Sequence, residues 1–98
     1  LSTIYLELNT NTNQSKVQRV LSKFYKKDKF VKVFKQNSLI STNDVINTNY
    51  CYISVCKSKY KNKIIVLSAI DNLIKGGTGQ AVQNLNIFFN FSKKMGLI

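Results

Sequence analysis

The sequence predicts an α+β fold: a mostly antiparallel sheet with two helices packed on one of its faces. Three observations carry that reading. Four stretches show the short apolar or alternating pattern of strands, and two show the three-and-four spacing of helices. Their order is strand, helix, three strands, helix, which suits one layer of each kind. The chain has 98 residues, room for one small domain and not for two.

The first strand is Ser2 to Leu8, where Ile4, Leu6 and Leu8 alternate with Thr3, Tyr5 and Glu7. Asn9 to Asn13 is turn chemistry. Ser15 followed by Gln18 reads as a capping box, in which hydroxyl and amide satisfy free donors at a helix start. Val17, Val20, Leu21 and Phe24 then recur at helical spacing to about Lys27, and Lys23, Lys26 and Lys27 suit the negative end of the dipole. Phe30 to Phe34 is a short strand. The polar stretch Gln36 to Asn49, with its Ser41-Thr42-Asn43-Asp44 cluster, is long enough to suggest a functional or interface loop. Tyr50 to Lys57 and Lys63 to Ile70 form an antiparallel hairpin around the lysine-rich Ser58 to Asn62. After Asp71 to Gly79, Gln80 opens a second helix with an apolar stripe of Ala81, Val82, Leu85, Phe88 and Phe89, while Gln80, Gln83, Asn84 and Asn90 stay polar.

Composition narrows the function classes. The formal net charge is +11, but Lys outnumbers Arg fourteen to one, Pro and Trp are absent and Ala occurs twice. That profile points to a coding bias toward A and T, whereas phosphate recognition usually recruits the planar fork of Arg. A solvated basic surface is therefore preferred to a nucleic-acid site, and no nucleic-acid partner is expected. Charge clusters only at Lys57, Lys59, Lys61 and Lys63. If that cluster did hold DNA, binding would fall steeply with salt. No apolar run approaches the roughly 18 residues needed to span a bilayer, so no membrane partner is expected. Cys51 and Cys56 fall on opposite sides of an extended segment, and there is no His. A zinc site within the chain is not expected, nor is a Ser-His-Asp or Cys-His set. A first residue of Leu1 inside a strand suggests a piece of something larger.

The stretch that could carry chemistry is Lys75-Gly76-Gly77-Thr78-Gly79 leading into a helix start. Free N–H groups and a positive dipole end suit an anion or a polar cofactor group there. The turn lacks the Gly-Lys-Ser/Thr ending of a phosphate loop and the third glycine of the dinucleotide fingerprint. A tight strand-to-helix turn explains such glycines equally well. The amides Gln80, Gln83 and Asn84 share a helical face and could read a carboxamide through paired bonds, or could simply be solvated. Asp71 and Asn72 read as turn or cap residues.

The run from Ser68 to Asn86, Ser-Ala-Ile-Asp-Asn-Leu-Ile-Lys-Gly-Gly-Thr-Gly-Gln-Ala-Val-Gln-Asn-Leu-Asn, closely resembles the N-acetyl-gamma-glutamyl-phosphate reductases. Their pattern there is S-A-I-D-N-L-x-K-G-A-A-G-Q-A-V-Q-N-x-N. Ser41 to Val45 with Thr48 to Cys51, and Leu1 to Tyr5, match two further blocks in the same order. Gly77 and Thr78 replace two alanines, Tyr52 replaces a common acidic residue, and Ile40 replaces a proline.

The resemblance implies the C-terminal portion, residues 1–98, of a catalytic and oligomerisation domain of glyceraldehyde-phosphate-dehydrogenase-like fold. The Rossmann domain that binds most of NADP would be absent from this chain. It implies a cytoplasmic, NADPH-dependent reduction of N-acetyl-gamma-glutamyl phosphate to the semialdehyde, a step of arginine biosynthesis, through a cysteine thioester. It also implies a homo-oligomer, dimer or tetramer. The nucleophilic Cys and its partner His would lie upstream of Leu1, so no catalytic residue is assigned here and the chain alone is not expected to be active. By the same resemblance, Gln80 would meet the nicotinamide carboxamide, supported by Gly77 and Gly79, with Asn84 one turn on. The competing readings are a basic nucleic-acid module and a non-catalytic interaction domain derived from the reductase.

Overall fold

The computed structural model describes all 98 residues, Leu1–Ile98. Six main elements follow the anticipated order: β1 (Ser2–Glu7), α1 (Gln14–Phe24), β2 (Val31–Val33), β3 (Cys51–Lys57), β4 (Lys63–Ile70) and α2 (Gly79–Phe88). A 3-10 turn at Thr42–Asp44 lies between β2 and β3, and a π-turn at Ile74–Thr78 runs directly into α2.

The strands form one sheet in the order β1-β4-β3-β2. β1 and β3 flank β4 antiparallel, with Ile4 opposite Val66 and Val55 opposite Val66 on its other side. β2 runs parallel to β3, pairing Val31 with Cys51 and Val33 with Ile53. The sheet is thus mixed. A parallel neighbour needs a crossover of a dozen or more residues, and the long polar stretch after β2 is that crossover. It caps itself at Ser41, whose N–H donates to Asp44 Oδ2 at 2.7 Å, and lays Ile40 and Val45 onto the sheet.

Each face carries a small apolar cluster. Under α1, Val55, Ile64 and Val66 pack with Leu8, Val17, Leu21 and Ile53. Under the crossover, Ile40, Val45 and Ala69 pack with Phe34, Tyr50, Tyr52 and Leu67. Only 12 residues are buried, so neither face is fully covered. β1 is the extreme case: all six of its residues are exposed, and its outer backbone edge has no strand beside it.

Local details depart from the sequence reading in two places. The N-cap of α1 is Asn13, whose Oδ1 accepts from the Lys16 N–H at 2.9 Å, not Ser15. Gln18 closes no capping box because its Nε2 is drawn to the Phe34 carbonyl at 2.6 Å. Val20 and Phe24 stay exposed, since the apolar contacts of α1 with the sheet are those of Val17 and Leu21, joined by Gln14 Nε2, which donates to the Val55 carbonyl at 3.1 Å.

Candidate functional site

The two helices stand differently to the sheet. α1 lies across β2 and β3, whereas α2 is fixed at the sheet's end by polar contacts. Sequence periodicity did not separate the faces of α2 as the fold does: Gln83 is buried, while Asn84, grouped with it, is exposed. Gly79, Gln83 and Asn86 are the buried positions of α2, and Val82, Leu85, Phe88 and Phe89 are exposed. The buried amides are held by specific partners, which is what makes their burial tolerable. Asn86 Nδ2 donates to the carbonyls of Lys93 and Met95, at 3.2 and 2.9 Å, folding the following tail back along the helix.

Gln83 is the centre of a second set. Its Oε1 accepts two hydrogen bonds, from Asn49 Nδ2 at 2.9 Å and from Lys75 Nζ at 2.8 Å. Asn49 is fully buried where the crossover enters β3. The Lys75 ammonium also sits 5.5 Å from the centroid of the Phe30 ring, itself fully buried. Burial pushes the Lys75 amine below the usual lysine value, an effect that Asp28 partly opposes. A desolvated ammonium over a ring face is held by the ring's quadrupole. Neither Lys75 nor Asn49 was singled out from the sequence, although both fall inside the blocks that carry the resemblance.

The glycine-rich stretch is not an open helix terminus. The π-turn uses the Gly76 and Thr78 N–H groups on the Asp71 and Leu73 carbonyls, each at 3.3 Å, and the Gly79 N–H on the Ile74 carbonyl. Three of the backbone donors leading into α2 are therefore engaged within the turn. Asp71 caps the front of the turn instead, accepting from Leu73 N–H at 2.9 Å and Asn47 N–H at 2.8 Å. Those bonds, first the one from Asn47, hold its carboxyl below its ordinary value. This is the cap role anticipated for Asp71.

The four cofactor-facing candidates thus separate. Gln80 is half-buried, and its Nε2 donates to Asn84 Oδ1 at 2.9 Å, leaving Oε1 available as an acceptor. Asn84 and Gly77 are exposed. Gly79 is buried, and a Cβ there would collide with Asn49 Oδ1 and lie 2.7 Å from both the Ile74 Cγ2 and its carbonyl oxygen. Its glycine is required by packing. Gly77 has room for a side chain, with only the Asn72 carbonyl at 3.5 Å, and it is the one residue of the π-turn outside helical angles.

Elsewhere the chemistry is sparse. Cys51 and Cys56 are free thiols on opposite faces of β3. In the basic hairpin, Lys59 and Lys63 flank the Tyr60 ring at 5.2 and 5.3 Å. The carboxylates of Asp28, Asp44 and Asp71 are spent on backbone amides. No helix is long and apolar enough to cross a membrane.

Comparison with known proteins adds the lineage. The family described as semialdehyde dehydrogenase, dimerisation domain, matches residues 1–72. Over 97 residues, 99% of this chain, the sequence is 42% identical to the N-acetyl-gamma-glutamyl-phosphate reductase of Thermoanaerobacter pseudethanolicus. It is 40% identical over the same length to that of Ehrlichia canis and 43% to that of Desulfotalea psychrophila. In each case the chain spans 28% of the relative's length.

Proposed function

Because the chain belongs to the semialdehyde dehydrogenase dimerisation-domain family, we propose that it is the C-terminal portion of an NADPH-dependent reductase. The reaction would convert N-acetyl-gamma-glutamyl phosphate to its semialdehyde, in arginine biosynthesis. The observation that carries this reading is identity of about 40% sustained along the whole chain to proteins named for that reaction. The thin core and the uncovered apolar positions on β1 and α2 support it, since they are surfaces that a larger protein would bury. A homo-oligomer accords with the family's name, the subunits meeting through this domain.

The chemistry is a two-stage displacement. A cysteine thiolate outside this chain attacks the acyl carbon, phosphate leaves, and the thioester is reduced to the aldehyde as the thiolate departs. Splitting the reduction in this way replaces one difficult step by two easier ones. Bound NADPH supplies the hydride.

This chain's own contribution is recognition. Gln80 fits a carboxamide in one respect: Oε1 can accept from the amide NH2 while Asn84 fixes the other end of the side chain. Gly79 lets the helix seat closely enough to hold that position, and Gly77 adds no side chain to the turn before it. No phosphate-binding glycine fingerprint is present, so only the nicotinamide end of the cofactor is assigned to these residues.

The test uses the complete gene product. With the semialdehyde, phosphate and NADP+, NADPH should form only when phosphate is present. Absence of phosphate-dependent turnover in a folded, NADP-binding protein would overturn the reductase reading. Gln80→Ala should raise the KM for NADPH several-fold, and an unchanged KM would remove Gln80 from the site.

A further inference from the structure

We propose that Lys75 is a positioning residue for Gln80, clamping the junction between the π-turn and α2 so that the Gln80 amide is presented in one orientation. This rests on the reading of Gln80 as the cofactor-facing amide.

The argument starts from the backbone. From Ile74 to Phe88 the chain is helical except at Gly77, where φ is −146° and ψ −111°. Gly76 and Gly77 stand together at that break, and glycine carries the largest backbone freedom of any residue. Two adjacent glycines at a kink weaken a helix there, and besides the turn's own backbone bonds from Thr78 and Gly79 a side-chain bridge can stiffen it. Lys75 lies immediately before the break and Gln83 well after it, and their side chains meet at 2.8 Å. The bond therefore bridges the break.

Both ends of the bridge are anchored. Gln83 is tied by the same Oε1 to the fully buried Asn49 at the entrance of β3. Lys75 is tied by its ammonium to the face of Phe30, just before β2. A surface lysine would spend its charge on water and hold nothing. Here partial desolvation makes the bond to a neutral amide oxygen stronger than it would be in water. Gln80 sits one turn before Gln83 and on an adjacent face, so a rotation of α2 about Gly77 would carry its amide away from a bound carboxamide.

Two experiments on the complete gene product test this. Without cofactor, hydrogen exchange at the amides of residues 76–80 should rise at least tenfold in Lys75→Met, and the sheet amides should be unchanged. With cofactor, NADPH should bind several-fold more weakly by direct titration, a loss no larger than that of Gln80→Ala, with kcat within about twofold of the parent. The double variant Lys75→Met/Gln80→Ala should bind no more weakly than Gln80→Ala alone, because the lysine acts through the glutamine.

Additive losses, or unchanged binding in Lys75→Met while Gln80→Ala is impaired, would overturn the clamp and leave the Gln80 reading intact. Unchanged binding in both single variants would remove the Gln80 reading itself, and the clamp with it. If Lys75→Met does not fold, Gln83→Met breaks the bridge from its other end. The same exchange and the same non-additivity with Gln80→Ala are then required.

Discussion

Replacing Gly79 by Ala puts the packing at the start of α2 to a quantitative test. The new Cβ would lie 2.7 Å from the Ile74 carbonyl oxygen and from Ile74 Cγ2, and would also collide with Asn49 Oδ1. The carbonyl is backbone and the Asn49 side chain is fully buried, so neither can swing aside. Overpacking of this kind costs about 1–3 kcal/mol, and here the upper half of that range applies. Displacing Asn49 also weakens its bond to Gln83, about 1 kcal/mol. Against this, Ala favours a helix over Gly by about 1 kcal/mol. The net loss is about 2 kcal/mol. It would be read as a lowered urea midpoint, by about 1 M for a slope of roughly 2 kcal/mol per molar. Gly77→Ala is the control, since its Cβ meets only the Asn72 carbonyl at an ordinary 3.5 Å. If Gly79→Ala were as stable as the parent, the close approach of α2 to Asn49 would be disproved.

Other predictions draw on different parts of the molecule. Asn13→Ala should cost about 1 kcal/mol as a lost N-cap, whereas Ser15→Ala should be nearly neutral by the same unfolding assay. Phe30→Ala should cost about 3–5 kcal/mol, since the ring is fully buried against Tyr50 and Lys75. A cost below 1 kcal/mol would contradict that packing. Asp71 has a folded pKa below its unfolded value. Its stabilisation is therefore present above the unfolded value near pH 4 and is lost as pH falls through the folded pKa. Asp71→Asn should flatten the acid limb of a stability-versus-pH curve. Lys75 is also depressed, which for a base has the opposite consequence. Stability should rise with pH between its folded pKa and about 10.4, and Lys75→Met should remove that rise.

Most of the fold was legible because its signals are local. β4 ends at Ile70, where the apolar run meets Asp71, and the hairpin closes over the lysine-rich turn as its polarity suggests. The misreadings have non-local causes. Ser15 and Gln18 have the spacing of a capping box, but the Phe34 carbonyl, 16 residues away, takes the glutamine. The parallel placement of the three-residue β2 depends on which way the crossover turns, which no pattern within β2 encodes. Periodicity put Gln83 and Asn84 on one face of α2, where the fold buries the first and exposes the second. Apolar residues are ordinarily the buried ones, and only the partners of Gln83 and Asn86 reverse that expectation. Gln80 and Asn84 were found through the resemblance, and the structure adds the bond that joins them. The π-turn left little mark in the sequence beyond its glycines, because most of its bonds reach five residues back through backbone, with the Thr78 hydroxyl adding one to the Leu73 carbonyl at 3.1 Å.

The bare edge of β1 bears on how this chain would behave in a test tube. A strand with one free edge and with Ile4, Tyr5 and Leu6 exposed is a template for pairing with another molecule. Glu7, at its end, is the strand's one charged side chain to discourage that pairing. What opposes aggregation is the mutual repulsion of chains that each carry a formal charge of +11. That repulsion acts over a Debye length of about 10 Å in 0.1 M salt and about 3 Å in 1 M. Light scattering from the isolated chain should accordingly climb as salt is added, and adding a lysine at Tyr5 should suppress the climb.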